Sequence, residues 1–380
     1  MFQLTEDQLN LQELVRDFSE NTLRPKAESL DKSGAYPAEA IASLAEMGVM
    51  GLNIPEEYEG AAMDEVCKVL AIAEIGRCCA GTGEIVATQL LVNDIIKKNA
   101  TEEQKRKYLP LAAQGVVGAF ALTEPGAGSD AGGLKTKAEK DGGSYILNGS
   151  KCFISNMGPD EGAYAIVIAV TDPEKGSRGG MTAFLVDRDT PGFTVGKTED
   201  KLGIRAAAVS EIALQDCRVP ASAIMGAVGD GFRIAMSGLD GGRVGMAGLS
   251  IGIAQSALEA AIQYTKERIQ FKRPISANQG IQWYLADMAT RLEAARLLTL
   301  QAADALDNKL PGISKKASMA KYYASETATY VADLALQMHG GYGYMKDYAI
   351  ERIYRDARIL RIFEGTSEIQ RIVIAKELLK

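Results

Sequence analysis

The spacing of apolar residues changes period twice along this chain, and that change limits the possible folds more than any single motif. Up to about residue 117 the spacing is helical: Leu9, Leu11, Leu14, Val15 and Phe18 repeat on one face. Thr5 with Gln8, and Thr101 with Gln104, have the capping-box pattern of helix starts. Ala40 to Met47, Asp64 to Cys78 and Gly83 to Lys98 read as further helices. From Gly118 to about Arg218 the chain becomes short β-branched and aromatic runs between Gly, Asp and Pro turns. Ser144 to Leu147, Lys151 to Ser155, Tyr164 to Thr171, Met181 to Asp187, Phe193 to Val195 and Glu211 to Leu214 are the predicted strands. After Gly229 long helices return, over Asp230 to Arg268, Gln279 to Leu306 and Ser314 to Met338, with a shorter one over Glu368 to Leu379. The order predicts an α+β protein: an N-terminal α-helical domain (1–117), a middle antiparallel β-barrel or sandwich (118–226), and a C-terminal α-helical domain (227–380) made of packed antiparallel helices.

Charge and cysteines narrow the function classes. The net charge is −7 and no dense Lys/Arg run offers a phosphate-binding stripe, so no nucleic-acid partner is expected. The cysteines are Cys67, Cys78, Cys79, Cys152 and Cys217; none is spaced as a zinc knuckle, and their odd number fits reduced thiols in a cytoplasmic compartment. His339 is the only histidine, so no multi-His metal site is expected and no metal is called for. The first ten residues carry no apolar signal core and no Arg-rich presequence. No apolar run reaches bilayer length, the longest being Tyr164 to Val170, so no membrane partner is expected.

Chemistry concentrates near the C-terminus. Glu364 lies between apolar Ile362–Phe363 and small Gly365–Thr366. A carboxylate on an apolar shoulder loses hydration and its pKa rises, as a general base that must also release its proton requires. Gly365 allows close approach to the backbone, and Thr366 or Ser367 offers a helix N-cap. The same residues also describe an ordinary capped turn with a solvated Glu. Upstream, Thr123 to Ser129 form a Gly-rich turn whose amides and hydroxyls suit carbonyl or phosphate oxygens, with no Walker lysine after it. Phe153 and Ser155 share a face if Lys151 to Asn156 is an unbroken strand. Arg268, Phe271 and Gln279 combine a cation, an aromatic and an amide near a helix end, and Arg suits a pyrophosphate. Gln337 to Gly343 ends a helix in glycines. Asp240 and Arg243 stand one turn apart. Each of these alone is equally a plain turn, strand, helix end or ion pair.

Taken together, the segments LTEPGAGSD, FISN, LDGGR, RIQF, QMHGGYGY and FEGTSEIQR resemble the acyl-CoA dehydrogenase family, nearest to its short-chain, butyryl-CoA branch. The resemblance covers nearly the whole chain. It implies helical, β and four-helix-bundle domains, bound FAD, and a homotetramer. By resemblance, Phe120, Leu122, Thr123, Ser129, Phe153, Ile154 and Ser155 contact the flavin, with Ser155 in place of the usual Thr. Arg268, Phe271, Gln279, Gln337, Gly340 and Gly341 hold its pyrophosphate and adenosine side, partly from a neighbouring subunit, and Thr366 and Glu368 complete the site. Ser129, Asp240, Arg243 and Gly365 serve the CoA thioester, and Glu364 is the base. Gly242 occupies the place where some branches carry the base instead. The implied reaction is α,β-dehydrogenation of a short-chain acyl-CoA to the trans-2-enoyl-CoA, with a hydride going to flavin N5 and electrons to an electron-transfer flavoprotein. The thioester oxygen is expected to be held by the Glu364 amide and a ribityl hydroxyl. The same scaffold also serves as an enoyl-CoA reductase, an acyl-CoA oxidase, or a non-catalytic acyl-CoA-binding homologue. The chain departs from the family pattern at Lys272 (usually Gly), at Glu59, and over Ala206 to Val209. The segment Gly83 to Ile96 looks shorter than usual and carries Glu84 and Gln89, which raises the expectation of a polar acyl group.

Overall fold

The computed structural model describes residues 3–380; Met1 and Phe2, part of the segment read above for a leader, lie outside the described residues. The first helices are α1 (Glu6–Phe18), α2 (Ala27–Ser33), α3 (Ala38–Glu46), α4 (Glu65–Cys78), α5 (Ala80–Asn99) and α6 (Glu102–Ala113). Both capping boxes form: Thr5 closes on Gln8 and Thr101 on Gln104. Every residue of α5 from Ala80 to Ile96 is buried, because helices and sheet surround it. Its charged Asp94 is tolerated through an ion pair with buried Lys68 at 2.7 Å. Burial in that pair is offset by opposite charge, which holds Asp94 ionised.

The middle segment supplies β1 (Gly118–Ala121), β2 (Lys137–Asp141), β3 (Ser144–Ser155), β4 (Tyr164–Val170), β5 (Met181–Asp187), β6 (Phe193–Thr198), β7 (Val209–Pro220) and β8 (Ile224–Met225). They form one sheet in the order β6-β7-β3-β2-β4-β5-β8, with β1 on β4. The sheet is mixed, not wholly antiparallel: β1 runs parallel to β4, as does the first residue of β2. The two predicted runs 144–147 and 151–155 are one strand bent at two bulges. On β4 the period of two separates two cores. Ala165, Val167 and Ala169 face the strand-lined interior, while Tyr164, Ile166 and Ile168 pack with α5 and α6 residues.

The C-terminal part holds α7 (Gly231–Glu267), a hairpin of β9 (Ile269–Gln270) and β10 (Arg273–Pro274), then α8 (Gln279–Asp307), α9 (Ile313–His339), α10 (Ile350–Ala357) and α11 (Ser367–Leu378). Ser314 bonds Asp240 at one end, and Arg268 stacks on Tyr342 at the other. So α7 and α9 run in the same direction and pack directly, with α8 running back antiparallel to both. Helix α7 is long and apolar enough by composition to cross a bilayer, contrary to the sequence reading, but 78% of that stretch is buried inside the protein. Its glycines explain the composition. A Cβ on Gly252 would lie 2.2 Å from the Ala73 carbonyl, so the small residues serve contact with α4.

Candidate active site

Two left-handed residues aim the carboxylate of Glu364. Glu364 has φ +52° and Gly365 φ +88°. The first is a strained conformation for a side chain of this size, and it is held by the surroundings. Lys321 Nζ donates to the Gly365 carbonyl at 2.7 Å, and Gln370 Nε2 donates to the carbonyls of Glu364 and Gly365 at 3.1 and 2.8 Å. Gly365 is required twice, for its φ and because a Cβ there would lie 2.7 Å from Gln370 Nε2. Thr366 Oγ1 then caps α11 by accepting from the Ile369 amide at 3.3 Å. Ser367 Oγ and Arg361 Nε both donate to Glu326 Oε1, at 2.6 and 2.9 Å, which fastens the turn to α9.

The carboxylate lies against α7. Glu364 Oε2 is shut off from solvent and has no hydrogen-bond partner among the described residues. Burial raises its pKa, while the positive charges of Arg243 and Lys321 oppose that rise. Lys321 is itself pulled down to about 8 by burial, against the attraction of Glu364. Arg243 is buried, and its Nη1 donates to Asp240 Oδ1 at 2.8 Å. Asp240 Oδ2 also accepts from Ser314 Oγ at 2.5 Å. The Asp240–Arg243 pair is thus a fixed, half-buried group.

The Gly-rich turn and β3 meet. Glu124 and Ala127 exchange backbone bonds across the turn, at 3.2 and 3.0 Å. The Cys152 amide donates to the Thr123 carbonyl at 3.0 Å. Buried Lys151 donates to Leu122 O at 3.0 Å and Glu124 Oε1 at 2.8 Å, and Glu124 accepts from the Lys135 and Thr136 amides at 2.7 and 3.0 Å. Ser129, Gly126 and Gly128 remain exposed beyond that anchor, and Phe120 is half-buried on β1. Phe153 sits at the second bulge with φ +56° and is 66% exposed. The bulge breaks the simple alternation assumed for an unbroken strand. Ile154 turns its side chain into the sheet core, leaving only its main chain for any ligand. Ser155 Oγ donates to Glu84 Oε1 at 3.0 Å, which joins this strand to α5 and, through α5, to the Glu364 pocket.

The remaining predicted residues cluster elsewhere. Arg268 caps α7 on the order of 35–40 Å along the helix from Gly242. There it borders a cavity of about 520 Å³ with Tyr264, His339, Gly340, Gly341 and Tyr342. Phe271 and Lys272 form the two-residue turn of the β9–β10 hairpin, with φ +49° and +66°. A turn of that kind favours Gly, and Lys272 adopts the positive φ it requires. Gln279 opens α8 and Gln337 ends α9, both exposed, while Glu368 is exposed on the first turn of α11. One chain therefore builds two separate halves, one around Glu364 and one around Arg268. Lys321 and Glu326 were not picked out in the sequence because they sit inside a regular helix. Gln370 and Glu124 lay inside the quoted motifs and Lys151 just before one, but their partners are set by tertiary contacts. No cluster of three or more His, Cys, Asp or Glu able to hold a metal occurs among the described residues.

Family models described as the N-terminal, middle and C-terminal domains of acyl-CoA dehydrogenase match residues 5–116, 119–217 and 229–379. An acryloyl-CoA reductase (NADH) of Anaerotignum propionicum is 48% identical over 382 residues, covering 100% of this chain and 96% of the relative. The solved butyryl-CoA dehydrogenase of Megasphaera elsdenii superposes with a TM-score of 0.96 at 41% identity, covering 100% of both chains. A chain solved with the electron transferring flavoprotein of Acidaminococcus fermentans as its subject superposes with a TM-score of 0.97 at 43% identity, again over 100% of both. With all three domain models matched and near-complete overlap, the chain belongs to the acyl-CoA dehydrogenase family.

Proposed function

We propose that Glu364 is the base that removes the α-proton of a short-chain acyl-CoA thioester in an FAD-dependent α,β-dehydrogenation. Family membership makes the chain an oxidoreductase acting on acyl-CoA. The observation that carries the role of Glu364 is its lone Oε2, dry, partnerless and held by a strained turn against Gly242. A carboxylate so placed is a stronger base than a solvated one and is already aimed. The positive charges of Arg243 and Lys321 oppose the rise in its pKa and favour its ionised form. Asp240 and Arg243, locked together, border the thioester end with Ser129.

The residues present fit FAD. The exposed Gly-rich turn, exposed Phe153 and the Thr123 hydroxyl suit a ring system and its polar edge, and Ser155, whose proton goes to Glu84, offers that edge a lone pair. At the other end, a Cβ built on Gly340 or Gly341 meets nothing within 4 Å, beside the Arg268 guanidinium. FAD, when bound, supplies the hydride acceptor. Because Arg268, Phe271, Gln279, Gln337, Gly340 and Gly341 stand far from Glu364 in one chain, they serve in part a neighbouring subunit's FAD, within the homotetramer that the family resemblance implies. Phe271 is 95% exposed, which supports a partner surface there. Thr366 and Glu368 border the first half, and Gly365 lines the thioester. An electron-transfer flavoprotein is the electron partner; the near superposition with the Acidaminococcus chain supports this. The five free, buried cysteines support a cytoplasmic setting.

Reduction of an enoyl-CoA is the second reading, favoured by the 48% identity to an acryloyl-CoA reductase. The test is anaerobic titration of the flavin-loaded protein and its Glu364→Gln variant with butyryl-CoA and crotonyl-CoA. Flavin bleaching by butyryl-CoA in the parent and its loss in the variant, with flavin retained, supports the assignment. Unchanged bleaching in the variant removes Glu364 from the role.

A further inference from the structure

Glu84 lies on the face of α5 shared by Thr88, Leu91 and Ile95, each about one turn apart. That face meets the glycines of α7. A Cβ on Gly238 would lie 2.6 Å from Ile95 Cγ1, and one on Gly242 would lie 3.4 Å from Leu91 Cδ1 and 2.9 Å from Glu364 Oε2. The α5 face and the Glu364 carboxylate therefore meet at the same turn of α7. Glu84 is 4% exposed. Its Oε1 accepts twice, from Ser155 Oγ at 3.0 Å and Thr88 Oγ1 at 3.2 Å. Its Oε2 is inaccessible to solvent and has no partner among the described residues.

Burial, then the negative charge of Glu364, pushes Glu84 up to about 8, against the two hydroxyls and the positive charge of Lys201. At neutral pH it carries a proton, and with Oε1 accepting twice that proton sits on Oε2. Gln89, the other polar residue expected in this segment, belongs to the scaffold. Its Nε2 donates to Asn93 Oδ1 at 2.7 Å and Tyr164 Oη at 3.3 Å, and its Oε1 accepts from the Gly118 amide at 2.6 Å.

We propose that Glu84 is a specificity-determining residue, selecting short acyl-CoA thioesters with a hydrogen-bond-accepting oxygen on the γ-carbon over plain alkyl chains. The inference rests on the function proposed above, which puts the α-carbon at Glu364 and leaves the γ-carbon to be met by the α5 face. An alkyl chain there leaves a desolvated donor unpaired, whereas a hydroxyl pairs with it.

The test uses the flavin-loaded protein with a pair matched in size, 4-hydroxybutyryl-CoA and pentanoyl-CoA, read by kcat/KM and by calorimetric binding. The parent is expected to favour the hydroxy compound about tenfold or more. Glu84→Gln, which keeps an N–H donor, retains the preference. Glu84→Leu reverses it, and gains on pentanoyl-CoA. Equal handling of the pair by the parent, in turnover and in binding, overturns the proposal, as does an unchanged ratio in Glu84→Leu. Failure of butyryl-CoA and both compounds to bleach the flavin overturns the underlying reading instead, and the binding ratio still decides the role of Glu84.

Discussion

Glu364 Oε2 lies 2.9 Å from the point where a Cβ on Gly242 would stand. The intruding atom would meet the far end of a flexible side chain, not backbone. Gly242→Ala should therefore displace the carboxylate and leave the helix intact. Alanine inside a helix is favoured over glycine by roughly 1 kcal/mol, so thermal stability should hold or rise. With the base moved, kcat for butyryl-CoA should fall at least about tenfold while flavin content stays unchanged. A rate within twofold of the parent would show that Glu364 has room to spare.

Lys321 joins the turn by one hydrogen bond and by its charge. Lys321→Met removes the donor to the Gly365 carbonyl, at a cost of about 1–3 kcal/mol. It also removes a cation that lowers the pKa of Glu364. The base acts when deprotonated, so the acid limb of the kcat/KM profile should move to higher pH. The effect belongs to pH below about 8, where Lys321 is charged in the parent. Coincident acid limbs in parent and variant would reject the electrostatic role.

Much of this fold was legible because period and capping are local properties. The capping boxes at Thr5 and Thr101, the helix opened by Thr366, and the strand Met181–Asp187 all formed where residue patterns placed them. The parallel pairing of β1 with β4 was not legible, since Gly118 and Tyr164 are brought together only by tertiary structure. Glu364 could be picked out from its apolar neighbours. What keeps its Oε2 dry could not, because Gly242 faces it from a distant helix. Phe153 and Ile154 show the limit within one motif, where a bulge decides which side chain leaves the core.

The Gly-rich turn depends on a buried ion pair. Lys151 is fully buried and holds Glu124 and the Leu122 carbonyl. Lys151→Met leaves Glu124 with only the two backbone donors, a loss of about 3–5 kcal/mol by analogy with other broken buried pairs. The turn should loosen, so the purified variant should carry less flavin per chain as well as melt earlier. An unchanged melting temperature together with full flavin content would show that the pair is dispensable.

Phe271 stands at the tip of the β9–β10 turn, 95% exposed beside exposed Ile269. If that tip is covered by another copy of the chain, Phe271→Glu places a charge in an apolar contact. Sedimentation should then show dissociation to smaller species, with loss of flavin, while the circular dichroism of the helices is kept. A variant that sediments like the parent would place the subunit contact elsewhere.

Glu84 makes stability depend on pH in a calculable direction. Its folded pKa is about 8, against an ordinary value of 4.5 in the unfolded chain. Between those values the folded protein holds a proton that the unfolded chain has released. The stabilisation from the neutral carboxyl is thus complete below 4.5 and lost as pH rises through 8. Glu84→Gln keeps the shape and does not titrate, while every other group is common to both proteins. The stability difference between variant and parent should therefore move in favour of the variant with rising pH, by on the order of 2–3 kcal/mol from pH 6 to pH 9. Thermal unfolding of both proteins across that range measures it, and a difference that stays flat would mean that Glu84 is ionised in the fold and that Oε2 carries no proton to donate.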